Sequence, residues 1–277
     1  MSTQYFRDSA KSLRVTAVTL FTNRQLAVEM ASRDIRDRYA GQSLGSVWAI
    51  FHPIFQIALY VFIFAFVFKV QVGGTESMPL DYTTYILAGL IPWISMQESM
   101  VKSCIAVSGN ANLVKQVVFP LEVLPFKSVL ASMLPQAVGT AVLIIYVLTK
   151  HGELHATYVL LPFLIAIQMI WMLGLAYLFS CVGAFIRDLK DVVQLFSLVG
   201  IYLMPAFYLP DMVPSAFRPI LYINPFSYMI WCYQDVVYFG RIEHPYSWCV
   251  FTAISLGTLV LGVRVFARLK PNLAGAL

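Results

Sequence analysis

The sequence predicts an all-α membrane protein with six transmembrane helices, an N-terminal interfacial helix, and re-entrant helices between spans 5 and 6. Three observations predict it. Six apolar stretches have near-spanning length, the loops between them are short, and their positive charges fall almost entirely on alternate sides. Hydrophobic residues make up 59% of the 277 and charged residues 12%, against about 25% charged in an ordinary soluble domain. Mean hydropathy is +0.74. A helix needs roughly 20 mainly apolar residues to cross about 30 Å of hydrocarbon. Such runs lie near 48–68, 84–107, 128–149, 156–184, 192–209 and 247–266, the fourth long enough to tilt. The organisation follows as an N-terminal segment over 1–46, a six-span domain over 47–270 and a tail over 271–277.

Orientation is read from Lys and Arg. Of the 19, only Lys69, Lys150, Arg218 and Arg241 fall on one side; the N-terminal segment, the second and fourth loops and the C-terminus hold the rest, so both termini are expected in the cytoplasm. The net charge of +5 is accounted for by flanks beside anionic headgroups, and no nucleic-acid partner is expected. The first 40 residues are polar and charged where the apolar core of a signal peptide would lie, so no cleaved leader is expected.

Before the first span, Arg24 to Tyr39 reads as an imperfect amphipathic helix. Ala27, Val28, Met30, Ala31, Ile35 and Tyr39 share one arc, and Arg33, Arg36 and Arg38 supply cations for the headgroup layer; a membrane-surface anchor is the plain reading and contact with a partner the equal alternative. In the first span Tyr60, Phe64 and Phe68 recur every fourth residue on one face. The second span carries Glu98 and, one turn later, Lys102, spaced to form an ion pair near the cytoplasmic headgroups. The second loop opens with Gly109, Asn110 and Asn112 and closes with Pro120 and Pro125, leaving room for one short helix around Leu113 to Val118. Apolar Leu113, Val114 and Val117 beside Lys115 make it a knob for a cleft on another protein. Arg187, Asp188, Lys190 and Asp191 in the fourth loop read as a solvated turn with local ion pairs.

The loop after span 5, Pro210 to His244, is apolar for a solvent loop, yet its helical pieces, about Pro214 to Ile223 and Pro225 to Phe239, are too short to span. Asn224 as N-cap and Pro225 at the first helical position form a helix start. Two helices dipping in from the outer face satisfy their own backbone groups while buried in protein, the condition for re-entrant structure.

Cys104, Cys181, Cys232 and Cys249 show no paired or metal-site spacing with the four histidines, so no metal is expected, and a Cys232–Cys249 disulfide is the minor alternative to buried thiols. The sequence has no Gly-rich phosphate loop, H-E-x-x-H or G-x-S-x-G motif. Energy for any work must come from an ion gradient or a separate ATPase, and the paired Glu98 is a weak candidate for ion coupling.

Four ordered segments, Arg33 to Pro53, Asn112 to Pro125, Phe185 to Val192 and Ile223 to Tyr228, together resemble the permease subunits of ABC exporters for O-antigen and related bacterial surface polysaccharides. The resemblance runs from about Arg24 to the last span. It implies six spans with cytoplasmic termini in the bacterial inner membrane and a homodimer enclosing the channel. Two copies of a separate cytoplasmic ABC ATPase would bind ATP and Mg, the cargo would be an undecaprenyl-linked polysaccharide, and this chain would bind no cofactor and perform no catalysis. By position, Asn112 to Val118, with Asn112, Leu113, Val114 and Lys115, corresponds to the coupling helix, Arg187 and Asp188 to the second ATPase contact, and the pair of re-entrant helices to the outer mouth. The segment VVFPLEVLP is nearer the O-antigen exporters than the capsule exporters, with teichoic-acid exporters still open. Tyr60, Phe64, Phe68, Trp93, Tyr202, Phe207 and Tyr208 are then candidates to line a channel, because flat rings lie against sugar faces through weak, interchangeable contacts; lipid-facing positions are the plain alternative. Two other readings stay open. One is a permease exporting small molecules. The other is a membrane-embedded transferase, for which His151 and His155 near Glu153 are the nearest approach to a catalytic cluster and a short polar turn is the simpler account.

Overall fold

The computed structural model describes residues 2–67, 79–115, 119–273 and 275, and all regular structure among them is helical. Two helices precede the first apolar stretch. α2, Arg24–Arg38, is a helix where the sequence predicts one; its buried face is made by Ala27 and Ala31, and Val28 of the expected apolar arc is exposed. α1, Ser2–Thr22, was not expected: its segment is too charged to read as a span, and what holds it is tertiary, with Leu13 packed beside the last turns of the C-terminal helix. The two meet at Asn23, whose side-chain amide donates to the Thr19 carbonyl at 2.8 Å.

α3 spans Trp48–Val61 and runs on as a π turn over Phe62–Val67. α4, Tyr82–Cys104, is the central helix, with every residue from Thr83 to Met96 buried. After the single-turn α5, Ala111–Val114, come α6, Val123–His151, and α7, Leu161–Phe185, which a 3₁₀ turn over Ala156–Leu160 leads in. α6, α7 with its lead and the last helix, α11, Pro245–Leu273, are each long and apolar enough to cross a membrane; among the described residues they are the three that qualify by length and composition. α4 has the length, but Ser95, Gln97, Glu98, Ser99 and Lys102 make it polar, and burial among its neighbours replaces contact with lipid.

α8, Leu189–Gly200, with a 3₁₀ turn to Leu203, is well short of the roughly 20 residues a span requires, so the fifth predicted span, 192–209, is not one continuous helix. Irregular backbone at membrane depth is tolerated only where protein satisfies it, and here side chains do so in series. The Leu203 carbonyl accepts from Asn224 Nδ2 at 3.2 Å, Pro205 from Gln234 Nε2 at 2.8 Å and Tyr85 Oη at 3.2 Å, and Phe207 from Tyr82 Oη. Tyr208 Oη donates to the Tyr202 carbonyl at 2.8 Å. Two short helices follow, α9, Arg218–Ile223, and α10, Pro225–Gln234, the latter continuing as a π turn over Asp235–Phe239.

The largest apolar cluster joins α4, α6, α7 and α10, and a second, around Tyr177, Phe266 and Leu273, lies at the end that carries the chain termini. α7 and α11 cross with Gly174 and Gly262 face to face: a Cβ at 262 would stand 2.2 Å from the Gly174 carbonyl oxygen. Small residues that let helix backbones touch are the usual adhesive of bundles in lipid, where no hydrophobic force acts between helices. All four cysteines are free thiols, Cys249 exposed and the others buried, so no Cys232–Cys249 bridge forms.

Candidate functional site

Charged groups collect at the two ends of the bundle. At the end bearing the termini, α2 is tied down by ion pairs that cross long stretches of sequence. Arg38 reaches Glu98 at 2.7 Å, and Lys102 meets the same carboxylate oxygen at 2.8 Å. The expected Glu98–Lys102 pair is therefore present, with a third member from α2. Burial works against the charge of the Arg38 guanidinium, but Glu98 and Tyr39 together outweigh it and the pKa is raised. Asp34 meets Lys127 of α6 at 3.0 Å, and that lysine's side chain is only 5% exposed. Lys270 of α11 closes on Glu122 at 2.6 Å. Arg33 turns outward to Asp37, Arg36 is exposed, and Tyr39 lines a cavity beside Arg38.

Next to these pairs lies a cleft of about 490 Å³ between α2 and the turn leading into α5, walled by Met30, Arg33 and Asp37 on one side and Gly109, Asn112 and Leu113 on the other. Of the predicted coupling residues, Asn112 and Lys115 are exposed, Leu113 is half-buried, and Val114 is buried in the second apolar cluster as the anchor of the turn. Gln116, Val117 and Val118 lie outside the described residues. Arg187 and Asp188 are exposed in the turn between α7 and α8. The two loops belong together mechanically, because Gly183 of α7 sits against the Cys104 backbone at the end of α4, where a Cβ would lie 1.9 Å from the Cys104 carbonyl oxygen.

At the opposite end, aromatic residues converge. Tyr60 of α3 stacks on Phe207 at 6.1 Å between ring centroids, Tyr202 approaches Phe207 at 5.6 Å, and Tyr208 binds the Tyr202 carbonyl. Tyr202 is 64% exposed. Trp93 does not join them: it is 1% exposed, packed edge-on against Phe226 and Phe196 in the core. The side chain of Phe64 and all of Phe68 lie outside the described residues. Asn224 Oδ1 accepts from the Phe226 backbone N–H at 3.0 Å, with Pro225 at the first helical position of α10.

Sequence reasoning missed two carboxylates at this end, one half-buried and one fully buried. Asp81 accepts from Thr84 Oγ1 at 2.7 Å and Tyr146 Oη at 2.9 Å, and lies 2.7 Å from His151 Nε2. Burial would raise its pKa, but the bonds from Thr84, His151 and Tyr146 outweigh burial and hold it below the ordinary carboxylate range. His151 is thus paired with Asp81 in a fastening between α4 and α6. Asp235 is fully buried and receives the His244 N–H at 3.1 Å, the Trp248 indole N–H at 2.9 Å and the His244 ring at 2.7 Å. Between the ends, Gln168 donates to the Pro92 carbonyl at 3.0 Å and accepts from Tyr233 Oη, which in turn accepts from Gln136 at 3.3 Å. The signal for this last group was in the sequence, since amides within apolar stretches are seldom idle.

The profile of the ABC-2 type transporter family matches residues 25–238, from the start of α2 to the π turn after α10. The chain belongs to this family. Among relatives of this ABC-2 type transporter, the O-antigen export system permease protein RfbA of Klebsiella pneumoniae is 31% identical over 90% of this chain and 93% of its own length. RfbA of Myxococcus xanthus is 25% identical over 92% of this chain and 96% of its own. The polysialic acid transport protein KpsM of Escherichia coli is 22% identical over 84% and 89%. The matched span takes in the ion-paired α2, the cleft beside α5 and the aromatic cluster of the transporter, and leaves out α1 and α11.

Proposed function

We propose that two copies of this chain form the membrane path of an ATP-driven exporter that moves an O-antigen-like, lipid-linked polysaccharide from the cytoplasm across the bacterial inner membrane. The observation that carries this reading is the near full-length likeness to the Klebsiella pneumoniae O-antigen export permease. In this reading the chain makes six passes with both termini cytoplasmic, α3, α4 and α8 supplying the passes that length and composition alone leave open, and α9 and α10 dip in from the outer face. ATP is hydrolysed on a separate ABC ATPase, in keeping with the lack of a phosphate-binding loop in the sequence.

The parts divide by end. At the inner end the ATPase seats against Asn112, Leu113 and Lys115 and against Arg187 and Asp188. The Gly183–Cys104 contact makes those two loops one lever, and the ion pairs of Arg38 and Asp34 carry its movement to α2. At the outer end Tyr60, Tyr202, Phe207 and Tyr208 offer ring faces to sugars; Trp93, enclosed in the core, is left out. The chain makes no bonds.

The test is genetic. Deletion of the gene should remove glycan from the cell surface while undecaprenyl-linked glycan accumulates inside. Wild type should restore export, and an Arg187→Ala, Asp188→Ala double variant that inserts normally should not. Unchanged surface glycan would sink the cargo assignment in favour of a small-molecule exporter.

A further inference from the structure

We propose that the cavity enclosed by α2, α3, α4 and α6 at the end bearing the termini is a binding site for the phosphate of an anionic lipid. The cavity measures about 210 Å³ and is walled by Arg38, Glu98 and Lys102 with the polar side chains His52, Gln56 and Gln97. A second cavity of about 630 Å³ shares Arg38, Glu98 and Lys102 and continues along apolar Leu195 and Leu198 of α8, with Asp191 on its wall.

Arg38 and Lys102 both close on a single oxygen of Glu98, at 2.7 and 2.8 Å, so two cations share one anion. Of the other nearby carboxylates of α2, Asp37 pairs with Arg33 and Asp34 with Lys127. The smaller cavity therefore holds one excess positive charge, with Lys102 18% and Glu98 17% exposed and Arg38 reaching them from a 44% exposed position. An uncompensated charge in such a place is costly, and an anion with several acceptor oxygens relieves it, drawing charge-assisted hydrogen bonds from the guanidinium and the ammonium. His52, Gln56 and Gln97 can donate to remaining oxygens, and Leu195 and Leu198 offer the first methylenes of a lipid chain an apolar wall. Phosphate over hydrocarbon is the chemistry that fits both parts. An ordinary anionic phospholipid and a prenyl phosphate carrier share it; the latter occupant rests on the export reading, whereas the phosphate site does not.

The full-length chain is purified in detergent, and its affinity for undecaprenyl phosphate, phosphatidylglycerol and zwitterionic phosphatidylcholine is measured by native mass spectrometry. Arg38→Gln and Lys102→Gln should each weaken binding of both anionic lipids about tenfold, the loss of one charge-assisted bond. Glu98→Gln should strengthen it by a similar factor, because it removes the competing anion. A merely structural triad would not separate the three variants by sign. Gln56→Leu, which breaks no ion pair, keeps the test open if a charge variant does not fold, with binding expected to weaken about threefold. Preference for undecaprenyl phosphate assigns the site to the carrier, and equal affinity for both anionic lipids assigns it to bulk phospholipid; both support a phosphate site. No discrimination against phosphatidylcholine, wild-type affinity in Arg38→Gln, Lys102→Gln or Gln56→Leu, or weakening by Glu98→Gln would overturn it. Binding is read on the chain alone and export in cells, so either conclusion can fail without the other.

Discussion

Gly262→Ala should destabilise the protein, although alanine is the better helix former. In an exposed helix the change gains about 1 kcal/mol. Here the added Cβ would lie 2.2 Å from the Gly174 carbonyl oxygen, 3.0 Å from its carbonyl carbon and 3.2 Å from its Cα. An ordinary contact begins near 3.4 Å, so the α7 and α11 backbones must part by about 1 Å. Neither neighbour is the tip of a flexible side chain that can turn away. Overpacking of a close-fitted interior costs about 1 to 3 kcal/mol, and an obstacle made of backbone puts this site at the upper end. The net loss is about 2 kcal/mol, or about 5 °C in apparent melting temperature at the 2 to 4 °C per kcal/mol usual for chains of this size. Gly257 on the same helix is the control, since nothing stands within 4 Å of a Cβ there; Gly257→Ala should be neutral or slightly stabilising. Thermal unfolding of both variants in one detergent, followed by size-exclusion chromatography, is the assay. Equal melting for Gly262→Ala and wild type would refute the close crossing as an adhesive of the bundle.

Three further outcomes are expected. Asp34→Asn leaves the buried Lys127 ammonium with only the long bond to Asn110 and should cost about 1 to 3 kcal/mol, whereas the Asp34→Asn, Lys127→Met double variant should recover much of the loss in a chemical-denaturation double-mutant cycle. Because the Asp81 pKa is held below its ordinary 3.8, the stability it contributes is present above that value and is lost as pH falls through the lower folded value. Melting curves of wild type and Asp81→Asn should therefore differ at neutral pH and converge at strongly acid pH. Asn224→Ala removes both the α10 cap and the bond to the Leu203 carbonyl and should cost about 1 to 2 kcal/mol in the same unfolding assay.

How far the sequence reads depends on the distance between the interacting residues. α2, α6, α7, α11 and the helices around Asn224 and Pro225 are legible because periodicity, caps and apolar length act within a few turns. α1 is not, since its apolar contacts are with α11 at the far end of the chain. The early end of α8 is invisible for the same reason: it depends on tyrosine and glutamine side chains, several from α4 and α10, and on Asn224 between α9 and α10, meeting carbonyls of residues 202 to 207. Within the candidate site, the Glu98–Lys102 pair follows from i, i+4 spacing, while Arg38 joining it and Asp34 finding Lys127 across 93 residues do not. Sequence order sets His151 beside His155 and Glu153, but its partner is Asp81, 70 residues earlier. The type of Trp93 suits a path lined by aromatics, but its neighbours Phe196 and Phe226 come from α8 and α10 and enclose it.

Reconstitution decides whether this chain is the path for a lipid-linked polysaccharide. The chain and its ABC ATPase are placed in sealed vesicles with undecaprenyl-linked glycan supplied on the ATPase side, and glycan reaching the other side is measured with a membrane-impermeant lectin. ATP-dependent appearance of glycan across the membrane, lost in the Arg187→Ala, Asp188→Ala variant, is the predicted result. ATP hydrolysis with no glycan crossing would contradict the account.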